Sequence, residues 1–281
     1  MSDSAESRPF RNLVRISTPL GLTYMEMDKV RAKKHLGQHF LKDEDIAQRI
    51  VDAALRNNDL PLLEIGPGTG VLTKHLIARE NFFAADIDTE SIEYLKKNYP
   101  AYQDKILYAD FLRMDLEKLF PAHFSVIGNF PYNISSQIMF RVLDYRDKVD
   151  VVVGMFQKEV AERIAEKPGT KEYGILSVLF QAYYDIEYLF TVEPDAFNPP
   201  PKVRSAVIRA VRNKVEKLDC DEGLFKAIVK AAFNQRRKMM RNSLKSFVKD
   251  ESLFTHRFFT LRPERMSVAD FVELTKMLEP K

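Results

Sequence analysis

The feature that most constrains the fold is an apolar segment that runs directly into closely spaced glycines, Leu62-Leu63-Glu64-Ile65-Gly66-Pro67-Gly68-Thr69-Gly70. Glycine has no Cβ atom, so the chain can turn sharply after a strand and let a ligand approach its backbone. The glycines lie at positions 66, 68 and 70, whereas a dinucleotide-binding turn has the pattern G-x-G-x-x-G. The spacing favours a nucleotide-type cofactor, and S-adenosylmethionine (SAM) over NAD. A turn that uses glycine only for its geometry is the alternative.

A second segment, Asn129-Phe130-Pro131-Tyr132, follows the apolar run at 124–128. It should therefore lie at the carboxyl end of a strand, where open α/β sheets bind their ligands. The Asn129 side-chain oxygen and the Phe130 or Pro131 carbonyl can accept hydrogen bonds from an exocyclic aromatic amine, and Tyr132 offers a face for the base. The alternative is a polar turn in which Pro131 ends the strand and Tyr132 packs.

Acidic residues end two further predicted strands. Asp86 lies twenty residues after Gly66, a position from which a carboxylate can accept hydrogen bonds from both ribose hydroxyls. Asp110 ends the next strand and can accept from an adenine amino group, with the Phe111 backbone N–H beside it. Asp88 is predicted to cap the following helix. Any one of these acids also fits a cap, but their recurrence at strand ends favours a site.

The order of predicted elements indicates the fold class. Seven apolar strands alternate with helices, and the last two strands form an antiparallel hairpin, which predicts a doubly wound α/β sheet. With 281 residues, 45% of them hydrophobic, the chain can bury more than one core. We expect a disordered tail at 1–24, an α/β domain at 25–212 and a smaller all-helical domain at 213–281.

Composition restricts the classes of function. The net charge is only +3, so any nucleic-acid surface must come from local clustering. One cysteine, Cys220, excludes an internal disulfide and a four-cysteine metal site. The five histidines lack a metal-site pattern with nearby acids, so we expect no metal. Without a long apolar span or a signal peptide, the protein is expected to be soluble and cytoplasmic.

Two segments concentrate positive charge. Residues 29–42 contain five Lys or Arg and no acid, and 223–249 contain eight Lys or Arg and no acid, the latter on a helical pattern. The first could contact phosphates with its basic half and a ligand carboxylate with Gly-Gln-His. The second is predicted to bind nucleic acid, although a solvated charged face is the alternative. The candidate RNA-binding residues are Lys33, Lys34, Arg236, Arg237, Lys238 and Arg241.

Taken together, these segments resemble the ribosomal RNA adenine-N6,N6-dimethyltransferases, and within them the bacterial small-subunit (KsgA-type) group. The matching segments follow one another in the family's order over nearly the whole chain, which is more specific than any single segment. They are 37–41, 64–70, 86–88, Asp110, 129–135, 157–160, 173–178, 197–203 and 235–238.

The resemblance implies a Rossmann-like, seven-stranded, SAM-dependent methyltransferase domain. It implies that Gln38, His39 and Leu41 line the methionine end of SAM, and that Asn129 lies between cofactor and target base. The candidate cofactor-binding residues are Gln38, His39, Leu41, Glu64, Gly66, Gly68, Asp86, Asp110, Phe111 and Asn129. The candidate catalytic residues are Asn129, Pro131, Tyr132 and Phe197.

Two residues depart from the usual family pattern. His39 stands where Asn is more usual, and Phe130 stands where a smaller aliphatic residue is usual. Both departures leave the polar contacts possible. Phe130 could nevertheless narrow the pocket, which must admit an already monomethylated amine for a second transfer.

The implied activity is dimethylation of two adjacent adenosines in the 3′-terminal hairpin of small-subunit rRNA. The flipped adenine is expected to lie between Tyr132 and Phe197, and Phe197 is expected to be exposed. Alternatives are an erythromycin-resistance-type (Erm) methylase of large-subunit rRNA, a DNA adenine methylase, and a ribosome-assembly factor that binds without turnover. A small-subunit particle is the expected partner, and a monomer suffices.

Overall fold

The computed structural model describes residues 13–18, 21–26 and 30–280. The chain divides into two compact units, 1–31 and 32–281. The first contains an antiparallel hairpin of β1 (Leu13–Thr18) and β2 (Gly21–Glu26). The predicted disordered tail at 1–24 falls partly on this hairpin and otherwise lies outside the described residues, so it stays a prediction. Lys29, the first cation of the basic segment, also lies outside them.

The second unit is built on a mixed sheet. The strands of this unit are β3 (Phe40–Leu41), β4 (Leu62–Ile65), β5 (Phe82–Asp86), β6 (Ile106–Tyr108), β7 (Phe124–Asn129), β8 (Val149–Gln157), β9 (Tyr184–Val192), β10 (Phe197–Asn198) and β11 (Ser205–Arg212). Seven of them form one sheet in the order β6-β5-β4-β7-β8-β11-β9. β11 is antiparallel to both neighbours, while β4 to β8 are mutually parallel. The predicted α/β sheet with an antiparallel last hairpin is confirmed.

The strand order reverses at β4 and β7, because the chain goes from β4 to β5 on one side and places β7 on the other. In doubly wound sheets, the crevice outside the carboxyl ends of the strands at such a point binds the ligand. The glycine turn follows β4, and Asn129 ends β7. The topology therefore brings together the two segments that the sequence analysis singled out.

Helices cover both faces of this sheet. They are α1 (Glu44–Leu55), α2 (Thr73–Leu76), α3 (Thr89–Asn98), α4 (Leu116–Leu119), α5 (Ser135–Asp144), α6 (Lys158–Ala165), α7 (Ile175–Gln181), α8 (Glu222–Asn234), α9 (Met240–Ser243) and α10 (Val268–Leu278). Successive strand residues point to opposite faces. Leu62 and Ile127 pack with α1 and α3, whereas Leu63 and Val126 belong to the core that contains α5, α7, α8 and α10. Helices therefore shield both faces of the sheet from water, which explains why the strands are apolar along nearly their whole length.

The carboxyl-terminal segment is helical over its described residues, as predicted. Phe225 of α8 and Phe271 of α10 are buried in the same core as Val152 of β8. Residues 32–281 accordingly form one compact unit. The predicted boundary after residue 212 coincides with the end of β11, but the packing is continuous across it.

Side chains cap several of these helices. The Asp88 carboxylate caps α3, as predicted, by accepting from the Glu90 backbone, and Ser267 with Asp270 forms a capping box on α10. The helix that follows the glycine turn, α2, covers only Thr73–Leu76. Because one turn sums few peptide dipoles, this helix provides little attraction for a ligand anion.

Candidate active site

A concave pocket lies at the carboxyl ends of β4 and β7. Its walls are residues 36–40, 65–66, 68, 85–87, 109–111 and 129–134. The predicted site residues that line it are Gln38, His39, Gly66, Gly68, Asp86, Asp110, Phe111, Asn129, Pro131 and Tyr132. Leu41, Glu64 and Phe197 are not among its lining residues. Residues from five separate segments of the sequence therefore converge on one pocket.

The glycine turn forms the floor of the pocket. Gly66 and Gly68 have φ angles of 68° and 55°, in the left-handed region that other residues rarely adopt. A Cβ atom on Gly68 would lie 2.8 Å from the Phe40 ring. A side chain at this position would therefore displace Phe40, so both backbone conformation and space require glycine.

Asp86 lies beside this turn at the end of β5. Its Oδ1 accepts a hydrogen bond from the Asp88 backbone at 2.9 Å, and its Oδ2 accepts one from the Gly68 backbone at 3.5 Å. Burial raises the pKa of Asp86, and these backbone donors partly offset that effect. A carboxylate that is fixed in the pocket wall in this way can accept hydrogen bonds from two vicinal hydroxyls.

Asp110 lines the pocket after β6. Its Oδ1 accepts from the Leu112 backbone at 2.9 Å, and Arg113 Nε lies 3.5 Å from its Oδ2. The carboxylate side chain is 40% exposed, so one edge remains accessible. Phe111, next in the chain, is buried. Asp110 therefore offers an accessible acceptor in the pocket wall, and its contact with an adenine amino group stays a prediction.

Residues 33–40, here called the strap, cover one side of the pocket. Lys33 Nζ and Gln38 Nε2 both donate to the Asp88 carboxylate, at 2.5 and 3.0 Å. Although burial alone would raise it, the hydrogen bonds from Lys33 and Gln38 hold the pKa of Asp88 below its usual value. Lys33 also pairs with Glu90 at 3.2 Å. Lys33, predicted to contact RNA, thus forms ion pairs that hold the strap against α3.

This role of Asp88 was missed by the sequence analysis, which predicted only a helix cap. The residue is 1% exposed and serves the α3 cap and the strap together. Its partners lie fifty or more residues earlier in the chain. No local signal in the sequence indicates such a pairing.

Asn129 joins the strap to the opposite wall. Its Nδ2 donates to the His39 carbonyl at 2.8 Å. Since a carbonyl can only accept, this bond fixes the orientation of the amide and leaves Oδ1 as the free acceptor. Oδ1 makes no hydrogen bond with any residue that the structure describes. The Asn129 carboxamide therefore presents an acceptor at the pocket, as an amine-binding role requires.

The Tyr132 ring is fixed at both ends. Its hydroxyl hydrogen-bonds Ser205 Oγ at 2.5 Å, and the His39 ring stacks on it with centroids 5.3 Å apart and planes 30° apart. The expected exposure of Phe197 is wrong, since it is 1% exposed. β10 pairs with β3, placing Phe197 opposite Leu41 in the core. Only Tyr132 of the two predicted base-stacking rings faces the pocket.

Comparison with known proteins addresses the identity of this pocket. Residues 29–278 match the model of the family described as "Ribosomal RNA adenine dimethylase". The chain belongs to this family. It is 56% identical over 251 residues to "Ribosomal RNA small subunit methyltransferase A" of Parabacteroides distasonis, covering 89% of this chain and 94% of that protein. The protein of the same name from Cytophaga hutchinsonii is 55% identical over 258 residues, or 91% and 100% of the two chains.

Solved structures agree with the family assignment. A dimethyladenosine transferase from Plasmodium falciparum superposes with a TM-score of 0.72 at 25% identity, covering 84% of this chain and 96% of that one. The 23S rRNA methyltransferase ErmE gives a TM-score of 0.63 at 26% identity, with 84% and 99% covered. The predicted Rossmann-like methyltransferase fold and the resemblance to rRNA adenine dimethyltransferases are confirmed.

Phe130, which departs from the usual pattern of this dimethylase family, does not obstruct the pocket with its ring. It is 1% exposed and makes an edge contact with Phe156 at 5.1 Å. Gly128 and Gly154 are paired across β7 and β8, and a Cβ on either would lie within 2.7 Å of the Phe130 ring. The two glycines make room in the core for the larger side chain.

Glu64, predicted to bind cofactor, lies behind the glycine turn and not in the dimethylase pocket. It is 1% exposed, and its Oε2 accepts from Thr73 Oγ1 at 2.7 Å. Burial raises the pKa of Glu64 to about 8, so the carboxyl is mostly protonated at pH 7. Its hydrogen bond with Thr73 links β4 to α2, the elements on either side of the glycine turn.

The candidate RNA-binding residues near α8 and α9 differ in their surroundings. Arg237, Lys238 and Arg241 are exposed, and no acid pairs with them among the described residues. Arg236 is half-buried and donates through Nη2 to the Thr170 carbonyl at 3.3 Å. Arg237, Lys238 and Arg241, here called the basic face, are therefore free to contact phosphates, whereas Arg236 also holds a loop. Lys34 is exposed as well.

Metal sites and membrane-spanning helices are both absent from the part of the chain that the structure describes. No group of three or more His, Cys, Asp or Glu side chains is arranged there to hold a metal ion. None of the helices in that part is both long enough and apolar enough to span a membrane.

Proposed function

We propose that the protein transfers methyl groups from SAM to N6 of two adjacent adenosines in the 3′-terminal hairpin of small-subunit rRNA. The observation that carries this proposal is the free Oδ1 acceptor of Asn129 beside the Tyr132 ring, in a pocket shared with Gly66 and Asp86. Membership of the rRNA adenine dimethylase family and relatives named as small-subunit methyltransferases support it.

The residues present fit SAM. Gly66 and Gly68 leave room that a Cβ would fill, Asp86 can accept from ribose hydroxyls, and Asp110 with the Phe111 N–H can contact the adenine. Gln38 and His39 would face the methionine end. When bound, SAM supplies an electrophilic methyl group on a positively charged sulfur.

The pocket residues would act on the target base by position. Asn129 Oδ1 and the Phe130 or Pro131 carbonyl accept the two amine hydrogens, which aims the nitrogen lone pair and draws it out of conjugation. Tyr132 stacks on the base, a contact worth about 1–3 kcal/mol that offsets the cost of flipping. The amine nitrogen would form a bond to the methyl carbon as the carbon–sulfur bond breaks, and its proton would pass to water. Because the leaving group from SAM would be an uncharged thioether, these residues contribute orientation more than a strong base.

The basic face would hold the RNA. Arg237, Lys238 and Arg241 have no competing acid in the described chain, and A-form RNA is gripped mainly through phosphates and shape. We infer that the partner is an immature small ribosomal subunit in the cytoplasm, that the protein acts as a monomer, and that no metal takes part.

The test of catalysis compares Asn129→Ala with Asn133→Ala. Asn133 ties the same strap, through Nδ2 to the His35 carbonyl at 3.2 Å, and is exposed. Methyl incorporation into unmodified small subunits should fall about 100-fold or more in Asn129→Ala, the order found when one transition-state hydrogen bond is removed. Asn133→Ala should stay within a few-fold of wild type. Undiminished turnover by folded Asn129→Ala would remove Asn129 from the mechanism.

The substrate is tested by mapping methylated nucleotides on small subunits, free rRNA and large-subunit rRNA in parallel. Adenosine methylation confined to large-subunit rRNA would indicate the Erm-type activity instead. Binding without methyl transfer to any of these RNAs would indicate an assembly factor.

The basic face is tested by the salt dependence of binding. The slope of log K against log salt concentration is negative, and removing one phosphate-binding cation should make it shallower by about 0.7–0.9. The double variant Arg237→Gln/Lys238→Gln should thus make the slope shallower by about 1.4–1.8. Lys214→Gln/Lys217→Gln removes the same charge from exposed positions elsewhere and should leave it unchanged. Equal slopes in both double variants would exclude this face from RNA binding.

A further inference from the structure

The Tyr132 ring already has a stacking partner within the protein. His39 and Tyr132 line the same pocket, and their rings stack with centroids 5.3 Å apart. A flipped purine that stacks on this face of Tyr132 would need the volume that the imidazole fills. Phe197 cannot replace this surface, because it is buried in the core.

His39 is held over Tyr132 by a specific hydrogen bond. Its Nδ1 donates to the Pro199 carbonyl at 2.8 Å. Because a carbonyl can only accept, Nδ1 carries the proton. Proline has no backbone N–H, so at this position it can only accept from the facing chain.

The bond continues a short ladder between the strap and the proline-rich segment. β3 and β10 pair in the register Phe40 with Asn198, and the same register continued by one residue sets His39 opposite Pro199. At the far end, the Lys42 backbone donates to the Ala196 carbonyl at 2.9 Å. The imidazole therefore closes the pocket end of the ladder, where a backbone bond to proline nitrogen is impossible.

We propose that His39 is a gate for the target base: its side chain occupies the Tyr132 face in the free protein and leaves that face when adenine enters. The proposal rests on the proposed function and names the residue that controls base admission. The backbone of His39 stays in place during this movement, because its carbonyl is held by Asn129 and the following residues are paired in β3. Only one hydrogen bond and one ring contact must break.

The gate competes with RNA for the Tyr132 face, so its removal should strengthen base binding. A stacked aromatic pair of this kind is worth roughly a two- to tenfold change in an equilibrium constant. His39→Ala and His39→Asn should therefore bind the hairpin about two- to tenfold more tightly. RNA affinity is compared at saturating S-adenosylhomocysteine, so that any effect of His39, which would face the methionine end, on cofactor binding does not enter the comparison.

The experiment uses the full chain with S-adenosylhomocysteine and an unmodified small-subunit rRNA 3′-terminal hairpin that carries 2-aminopurine at the target adenosine. Fluorescence titration reports both RNA affinity and extrusion of the base. His35→Ala is the matched control, since His35 is an exposed imidazole on the same strap. Its ring forms no hydrogen bond or ion pair with the residues that the structure describes, so the variant should behave as wild type.

The outcomes separate the gate from the proposed function. If wild type extrudes the base and His39→Ala does so more strongly, the gate is supported. If wild type extrudes it and His39→Ala binds RNA equally or more weakly, His39 is a stacking platform and the gate is wrong. Failure of wild type both to extrude the base and to methylate small subunits would overturn the proposed function itself. Thermal unfolding confirms that each variant is folded.

Discussion

Replacing Glu64 by Gln should stabilise the protein increasingly as the pH rises. Glu64 is 1% exposed and burial raises its pKa from 4.5 to about 8. Between these values the folded protein binds a proton that the unfolded chain releases. Stability from this group is therefore complete below pH 4.5 and is lost as the pH rises toward 8. Glutamine has the same shape, can accept from Thr73 Oγ1 and does not ionise.

The magnitude follows from the two pKa values. A separation of roughly 3.5 pH units, at about 1.4 kcal/mol per unit, limits the destabilisation by Glu64 at high pH to the order of 5 kcal/mol. Within the range accessible to urea denaturation, the advantage of Glu64→Gln should grow by about 1.4 kcal/mol per pH unit. From about pH 5.5 to about pH 7.5 this amounts to roughly 2–3 kcal/mol.

The measurement is the unfolding free energy of both proteins by urea titration across that range, with equal m-values as the condition for comparison. Glu93→Gln removes a carboxylate from the exposed side of α3 and should show no such trend. SAM affinity of Glu64→Gln should stay within about twofold of wild type, because Glu64 does not line the pocket. A stability difference that is flat with pH would mean that Glu64 is ionised throughout, and the burial argument would be wrong.

Three other substitutions test separate parts of the site. A Cβ at position 154 would clash with the Phe130 ring, so Gly154→Ala should lower the unfolding free energy, measured by urea titration, by roughly 1–3 kcal/mol. This loss should be smaller when Phe130→Leu is also present. Strictly additive effects of the two substitutions would exclude the clash. Tyr132→Phe keeps the ring and loses one hydrogen bond, so turnover should fall less than about tenfold; a far larger loss in steady-state kinetics would place the hydroxyl in the chemistry. Asp88→Asn keeps an α3 cap but loosens the strap, so calorimetry should show about tenfold weaker S-adenosylhomocysteine binding. Asp43 caps α1 and has no strap contact, so Asp43→Asn should not weaken S-adenosylhomocysteine binding. If Asp43→Asn and Asp88→Asn weakened this binding equally, Asp88 would act only as a helix cap.

The sheet and the position of the pocket could be predicted because they follow from local signals. Runs of apolar residues define the parallel strands, glycine marks the turn after β4, and acids mark the ends of β5 and β6. Since parallel strands end at one edge of a sheet, residues far apart in sequence such as Gly66 and Asn129 had to meet there. That step needs only strand order, which the glycine turn and family resemblance supply.

The environment of individual side chains could not be predicted, because it depends on contacts between distant segments. Phe197 begins a proline-rich segment that is typical of an exposed loop, yet pairing of β10 with β3 buries it. The sequence left open that Phe130 narrows the pocket, whereas in the structure the space for its ring comes from Gly154 on the neighbouring strand. In each case the environment of the side chain depends on the residue that faces it from another strand. The register of the strands determines which residue that is, and local sequence does not reveal the register.

The strap is held by two separate anchors, an arrangement that suits repeated methyl transfer. Gln38, bonded to Asp88, lies at the proposed methionine end of SAM, and its neighbour His39, bonded to Pro199, stacks on Tyr132, the proposed base platform. Their anchors are independent, so the His39 side chain can move while the Gln38 contact stays intact. An enzyme that adds two methyl groups to one amine must exchange spent cofactor and reposition a bulkier base between transfers. Separate anchors for adjacent residues allow these two events to occur one at a time, since neither requires the whole strap to open.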